Sequence, residues 1–237
     1  MIVPTTPRVP RQPVARQPIW SRDGLLHGYE FLYRSVDGLP AQVDEWAAEQ
    51  QDGASAQVLG TVFGDDLPAD RALAFVNITR AFLVSDRPLP SPADRLVLEI
   101  VESVHADPAV LRGLRRLRAL GYRVAIDDFV GTPHQNAMLP LADYVKIDWR
   151  DLERVGPDLV ERARSHGAWL VAERVSEDEI VDRCTALGFD FLQGNALGPA
   201  LTSQPWAERV PPGPWGNRIP TQPEHSEQPR GQRREVR

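Results

Sequence analysis

The chain has little of what would direct it to a membrane, a disulfide framework or a nucleic-acid polymer. It has one cysteine, Cys184, so an internal disulfide is excluded and a reducing compartment fits. No apolar run approaches the length of a membrane span, and the N-terminal segment carries no signal-type apolar core. These absences make a cytoplasmic protein the expectation. Positive charge is outnumbered, with 27 lysine and arginine residues against 33 acidic ones. A formal net charge of -6 argues against a nucleic-acid polymer as partner, because phosphate affinity comes largely from basic surface. A local basic pocket for a small anionic ligand remains compatible with that balance. With 237 residues, 42% hydrophobic and 25% charged, the chain suits one domain of barrel size or two small ones.

Proline separates the ends from the middle. Of 22 prolines, five fall at or before Pro18 and eight at or after Pro199. Residues 1–13 read as a flexible arm, 14–206 as the folded unit, and 207–237 as a proline-rich tail with little to bury.

Within the folded unit strand-like and helix-like segments alternate. Arg16 to Ile19 and Gly28 to Tyr33 flank the turn Ser21-Arg22-Asp23-Gly24 as an initial hairpin. Ala54 to Phe63 has a helical apolar face closed by Gly64, and Leu73 to Asn77 and Leu96 to Ile100 are strands. Asp107, Pro108 and Gly121 bracket a helix whose stripe is Val110, Leu111, Leu114, Leu117 and Leu120, its arginines being a solvated surface. Val124 to Ile126 and Tyr144 to Lys146 are strands. A helix over Pro157 to His166 precedes the strand Ala168 to Ala172. Ser176 and Glu179 form a capping box that opens a helix through Leu187, with Cys184 on its packed side, and Phe189 to Leu192 is the last strand. Strands alternating with helices imply parallel βα units, and six strands after the hairpin favour a closed barrel.

The strand ends carry the chemistry. The apolar runs finish at Asn77, Glu99, Asp127-Asp128, Lys146, Glu173 and Gln193, and the second hairpin strand carries Glu30. In a βα barrel these ends face one mouth. So many carboxylates at one mouth are electrostatically expensive without cations, and hard oxygen donors suit Mg²⁺ or Mn²⁺.

These segments resemble the EAL-type cyclic-di-GMP phosphodiesterase domain. The matching stretches are Arg16-Gln17-Pro18-Ile19, Gly28 to Arg34, Phe75-Val76-Asn77, Leu98 to Ser103, Ala125 to Phe129, Ala142 to Asp148, Ala172-Glu173 and Leu192-Gln193-Gly194. The opening ARQPIW and the pair Arg34-Ser35 are most similar to the EAL half of EAL-HDOD proteins. The resemblance implies an α/β fold, a modified TIM (β/α)8 barrel with an initial antiparallel hairpin strand. It also implies hydrolysis of one phosphodiester of cyclic di-GMP to linear pGpG at a two-metal Mg²⁺ or Mn²⁺ site. Glu30, Asn77, Glu99, Asp127, Asp128 and Glu173 then match metal ligands, Lys146 the lysine that holds the attacking water, and Glu173 also a general base. Gln193 stands near metals and substrate, while Gln17, Leu32 and Arg34 match ligand-binding positions. Glu102 matches a glutamate that steadies the loop after Asp128. The family often dimerises near that loop, so a homodimer and a protein partner are further expectations.

The chain departs from the family pattern at Phe31, at Ser35 and in the run Phe129-Val130-Gly131-Thr132-Pro133, where a β-branched residue and a proline replace glycine freedom. Two functions stay open: an active phosphodiesterase, or a catalytically impaired cyclic-di-GMP receptor or protein-interaction module.

Overall fold

The central strands of this chain are apolar on both faces, so each must be covered twice, by barrel interior on one side and helices on the other. The computed structural model describes residues 13–63 and 72–202. The expected arm, the tail and Gly64 therefore lie outside the described residues.

The elements run β1 (Val14–Ser21), β2 (Leu26–Tyr33), α1 (Ala48–Phe63), β3 (Leu73–Ile78), α2 (Arg80–Val84), β4 (Leu96–Ile100), α3 (Pro108–Ala119) and β5 (Arg123–Ile126). They continue with α4 (Pro133–Met138), β6 (Tyr144–Asp148), α5 (Trp149–Val155), α6 (Asp158–Arg164), β7 (Trp169–Glu173), α7 (Asp178–Ala186), β8 (Phe191–Leu192) and β9 (Leu201–Thr202). Strands β2 to β8 pair in sequence order, all parallel. β1 closes the ring by pairing antiparallel with both β2 and β8, and β9 adds to the outer half of β1. The result is a closed eight-stranded α/β barrel of modified TIM type, with an antiparallel first strand.

Strand alternation builds the inside in layers. One layer is apolar: Ile19, Phe75, Val97, Ala125, Tyr144, Val171 and Phe191 pack together, one from each of seven strands. β2 contributes Gly28, where a Cβ would meet the ring of Phe75 at 2.9 Å. Beside this layer His27 stacks on Phe191 at 3.9 Å and hydrogen-bonds Tyr144 Oη at 3.0 Å. Burial, helped by the charge of Arg123, lowers His27 to about 4, so it is a neutral packing group. The outward residues of the same strands, such as Val145 and Ile147, join the large core under the helices.

Several sequence expectations need correction. Leu120 is 62% exposed and leaves the stripe of α3 to Val110, Leu111, Leu114 and Leu117, because the helix ends one residue before it. The Ser176–Glu179 box does not form; α7 is capped at Glu177, without a side-chain hydrogen bond. α1 begins at Ala48 rather than Ala54. The helices α2, α4 and α5 and the strand β9 were not expected. Asp148 explains α5: it ends β6 and its carboxylate accepts from the Arg150 amide at 2.8 Å, so strand passes directly into helix. The expected cap of α3 is present, with Asp107 accepting from Ala109 and Val110 amides at 2.8 and 2.9 Å. Among the described residues no helix is long and apolar enough to cross a membrane.

Close packing of α3 on α2 depends on Gly113, where a Cβ would overlap the backbone carbonyl of Leu83. Backbone cannot rotate away as a side chain would. Gly113→Ala is therefore expected to destabilise the barrel by about 3 kcal/mol. A urea midpoint equal to or above that of the parent chain would contradict this packing.

Candidate active site

The polar layer is the next turn of the strand alternation. Two residues beyond Gly28, Phe75, Val97, Ala125, Tyr144, Val171 and Phe191 stand Glu30, Asn77, Glu99, Asp127, Lys146, Glu173 and Gln193. β1 runs the other way, so its member, two residues before Ile19, is Gln17, the cross-strand partner of Glu30. Side chains scattered over the chain thus reach one level of one barrel, at the carboxyl ends of the parallel strands.

Lys146 is at the centre. Its Nζ lies 3.2 Å from Glu30 Oε2, 2.8 Å from Glu99 Oε1, 3.1 Å from Asp127 Oδ1 and 2.8 Å from Glu173 Oε1. Gln193 Nε2 donates to Glu30 Oε2 at 2.6 Å and to Gln17 Oε1 at 3.1 Å. Lys146 and Glu99 are fully buried. Burial pulls the ammonium towards neutrality, but Asp127, Glu173, Glu30 and Glu99 outweigh it and hold Lys146 well above the usual lysine range. Burial also pushes Glu99, Asp127 and Glu173 up, against the opposing pull of Lys146. One ammonium does not neutralise four carboxylates, so the group attracts further positive charge or protons. Lys146 is also the only lysine in the chain, which singles it out among 27 basic residues in the sequence itself. A compact point charge fits among four oxygens where the wide fork of arginine does not.

The donors fit a hard divalent ion. Buried oxygens without a hydrogen bond include Asn77 Oδ1, Gln193 Oε1, Asp127 Oδ1 and both Glu99 carboxylate oxygens, although two of these lie at ion-pair distance from Lys146. Such orphaned oxygens suit Mg²⁺ or Mn²⁺. As the side chains stand, no three His, Cys, Asp or Glu residues among the described residues are gathered for a metal. The cluster is closed on Lys146 instead.

Above it opens a cleft of about 790 Å³, lined by Gln17, Glu30, Leu32, Arg34, Asn77, Asp127, Asp128, Glu173 and Gln193. Asn77, Asp128, Leu32 and Arg34 thus share the cleft with the cluster. Burial lowers Arg34 from the usual arginine value, and the charge of Glu30 acts in the opposite direction. Asp128 holds a left-handed backbone, φ 43°, and burial with the neighbouring charge of Asp127 raises its carboxyl to about 7.

The loop after Asp128 differs from expectation. Glu102 lines the cleft but is exposed, and no hydrogen bond joins it to the loop among the described residues. Buried Gln135 holds the loop. Its Nε2 donates to the Asp128 carbonyl at 2.9 Å, and its Oε1 accepts from the Val130 and Thr132 amides at 3.1 and 3.2 Å. The left-handed turn falls at Gly131, φ 78°, one position after Val130, and Pro133 is the first residue of α4 inside a Thr132–Gln135 capping box. Val130 and Pro133 therefore have a backbone path that suits them. The Thr-Pro-His-Gln pattern, with its cap, helix-starting proline and third-position glutamine, announces this in the sequence. Sequence reasoning also missed the anchor Asp148 and its arginines Arg150 and Arg174, which line the cleft.

Two measurements probe this site. Lys146→Met removes the counter-charge and is expected to lower the unfolding free energy by about 3–5 kcal/mol at neutral pH. Unchanged denaturant midpoints would show that the ammonium does not hold the cluster. Asp128 sits at about 7 folded against an ordinary value of 3.8, so the folded state keeps a proton that the unfolded chain releases. Its stabilising contribution is full below the ordinary value and is lost as pH rises towards 7. In chelator, stability should fall between pH 4 and 7 less steeply in Asp128→Asn than in the parent chain; equal slopes would contradict the assignment.

Comparison with known proteins agrees with the barrel. Residues 16–200 match the EAL domain family. The chain is 30% identical over 190 residues to the cyclic di-GMP phosphodiesterase CdgJ of Vibrio cholerae, covering 76% of this chain and 42% of the relative. It is 27% identical over 190 residues to the uncharacterized protein YuxH of Bacillus subtilis, covering 76% and 45%. The chain thus spans less than half the length of these curated relatives. Among solved structures, the Bacillus subtilis YkuI protein, with an EAL domain and in complex with substrate c-di-GMP and calcium, is similar with a TM-score of 0.68 at 21% identity, covering 80% of this chain and 55% of that one. The Klebsiella pneumoniae BlrP1 calcium and cyclic-di-GMP complex gives a TM-score of 0.63 at 20% identity, covering 84% and 58%. By the match across most of its length, the chain belongs to the EAL domain family.

Proposed function

We propose that this chain is a metal-dependent phosphodiesterase that hydrolyses one phosphodiester of cyclic di-GMP to linear pGpG. The observation that carries this reading is the convergence of Glu30, Glu99, Asp127 and Glu173 on one buried ammonium at the mouth of an EAL barrel. The relative CdgJ and the ligand complexes of YkuI and BlrP1 support it.

In this reading Glu30, Asn77, Glu99, Asp127, Asp128 and Glu173 hold two ions of Mg²⁺ or Mn²⁺. The ions, when bound, acidify a water and offset charge on the phosphate. Lys146 directs an N–H at the attacking water and keeps it in place. Glu173, whose carboxyl burial pushes up, is suited to take the proton that this water gives up. Gln193 orients Glu30 through its 2.6 Å hydrogen bond and bridges to Gln17 on the first strand. Arg34 pairs with the second phosphate, and Leu32 provides an apolar wall. The deep position of the cluster excludes bulk water, which strengthens each of these charge interactions.

A second reading, a receptor that binds cyclic di-GMP without turning it over, is favoured by the closure of the carboxylates on Lys146. One assay separates the two. Purified protein with cyclic di-GMP and Mn²⁺ is expected to yield pGpG, to stop on chelation, and to lose at least about a hundredfold in rate in Glu30→Ala and Glu173→Ala. Ligand binding without pGpG would select the receptor, and activity surviving both substitutions would remove the site from the mechanism.

A further inference from the structure

The floor of the cleft is acidic, whereas the proposed ligand carries two phosphates and two guanine bases. Cationic donors for it come from the walls. Arg34, Arg150, Arg174 and Arg183 line the cleft among the described residues. Arg183 is engaged elsewhere, 3.4 Å from Glu153 and 4.6 Å over the ring of Trp149.

Arg150 and Arg174 form a different arrangement. Both are tied to one carboxylate oxygen, Asp148 Oδ2, at 2.6 Å from Arg150 Nη2 and 2.8 Å from Arg174 Nε. Asp148 is 4% exposed, while the side chains of Arg150 and Arg174 are 67% and 61% exposed. Burial pushes Asp148 up, but its bonds to Arg150 and the charges of both arginines bring it below the usual value, so the anchor is an anion. Two guanidinium groups on one carboxylate leave one net positive charge at the rim. Arg150 also spends Nε on Asp148, at 3.1 and 3.2 Å. Arg174 meets Asp148 through Nε, and among the described residues no hydrogen bond ties its two terminal amino groups. They form a planar pair of parallel donors. The backbone beneath is unusual too: Arg174 holds a left-handed conformation, φ 55°, which a non-glycine residue keeps only where its surroundings impose it. Its neighbours impose it, with Val175 N bonded to the Gln193 carbonyl at 3.1 Å and Glu173 paired with Asp148 across β6 and β7.

We infer that Arg174, steadied by Asp148 and Arg150, reads the Hoogsteen edge of a guanine of the bound ligand and so sets base specificity. The inference rests on the proposed ligand. Guanine offers O6 and N7 as adjacent acceptors to the two terminal N–H groups, whereas adenine opposes them with its N6 amino donor. The phosphates have other partners in Arg34 and in the ions that the carboxylates would hold, which leaves Arg174 for a base edge. Asp148 and Arg150 are positioning residues, since they act through Arg174.

Calorimetry on the full chain in Ca²⁺ tests it, with cyclic di-GMP and cyclic di-AMP as separate ligands. The parent chain is expected to prefer cyclic di-GMP. Arg174→Met should weaken cyclic di-GMP binding about ten- to a hundredfold and leave cyclic di-AMP nearly unaffected. Arg174→Gln, whose amide matches the adenine edge rather than guanine O6 and N7, should lose the preference for cyclic di-GMP, and it carries the test alone if the methionine variant does not fold. Equal weakening of both ligands, an unchanged preference in Arg174→Met, or full preference in Arg174→Gln would overturn the inference and leave the proposed ligand standing. No cyclic di-GMP binding by the parent chain would overturn both.

Discussion

The site depends on one ammonium group buried away from bulk water. Removing an ion from water at that depth costs several kcal/mol, and Lys146 is tolerated only because four carboxylate oxygens stand within 3.2 Å. Those carboxylates are tolerated only in part. Glu99, Asp127 and Glu173 are pushed up by burial even with Lys146 beside them. The excess negative charge attracts further positive charge or protons, and Lys146 supplies the first of that charge. Structural support and chemical appetite are two sides of the same charge imbalance.

The barrel converts a simple repeat into that imbalance. Phe75 and Asn77, Val97 and Glu99, and Tyr144 and Lys146 are each two residues apart, one on the apolar level and one on the polar level. This much was legible in the sequence, because strand ends are marked by a change from apolar to charged residues. Glu30, Asp127, Glu173 and Gln193 were found in the same way, and their meeting follows from the parallel order. Less legible was what the charges do to one another. A sequence shows Asp127 beside Asp128, but not that Lys146, on the neighbouring strand, reaches Asp127 and leaves Asp128 to the cleft. The singular lysine did carry that message, in a chain whose other basic residues are arginine.

Where sequence reasoning failed, local chemistry had a second solution. Val130 and Pro133 remove glycine freedom at two positions, yet Gly131 takes the left-handed turn and Pro133 starts a helix. Gln135, which sequence reasoning passed over, bonds the loop after Asp128 from within the loop itself. Ser176 and Glu179 have capping-box spacing but the helix starts later, at Asp178, which places Glu177 at the cap. Direct passage from β6 to α5 through Asp148 left no connecting residues by which to recognise two elements. In each case the residues satisfied a rule, and tertiary context decided which rule applied.

The antiparallel first strand has a consequence for how the protein comes into being. Gln17 meets Gln193 across 176 residues, and β1 completes its pairing only with β8 and β9. The ring closes last at the strand with which the barrel began. A nascent chain emerging in order can assemble β2 to β7 side by side, but its hydrophobic interior stays open until the final strands arrive. Glu30 waits through that interval for its amide partner. The cluster is therefore a product of the finished barrel, and a chain cut short before Gln193 has most of the carboxylates without the closure that confines them.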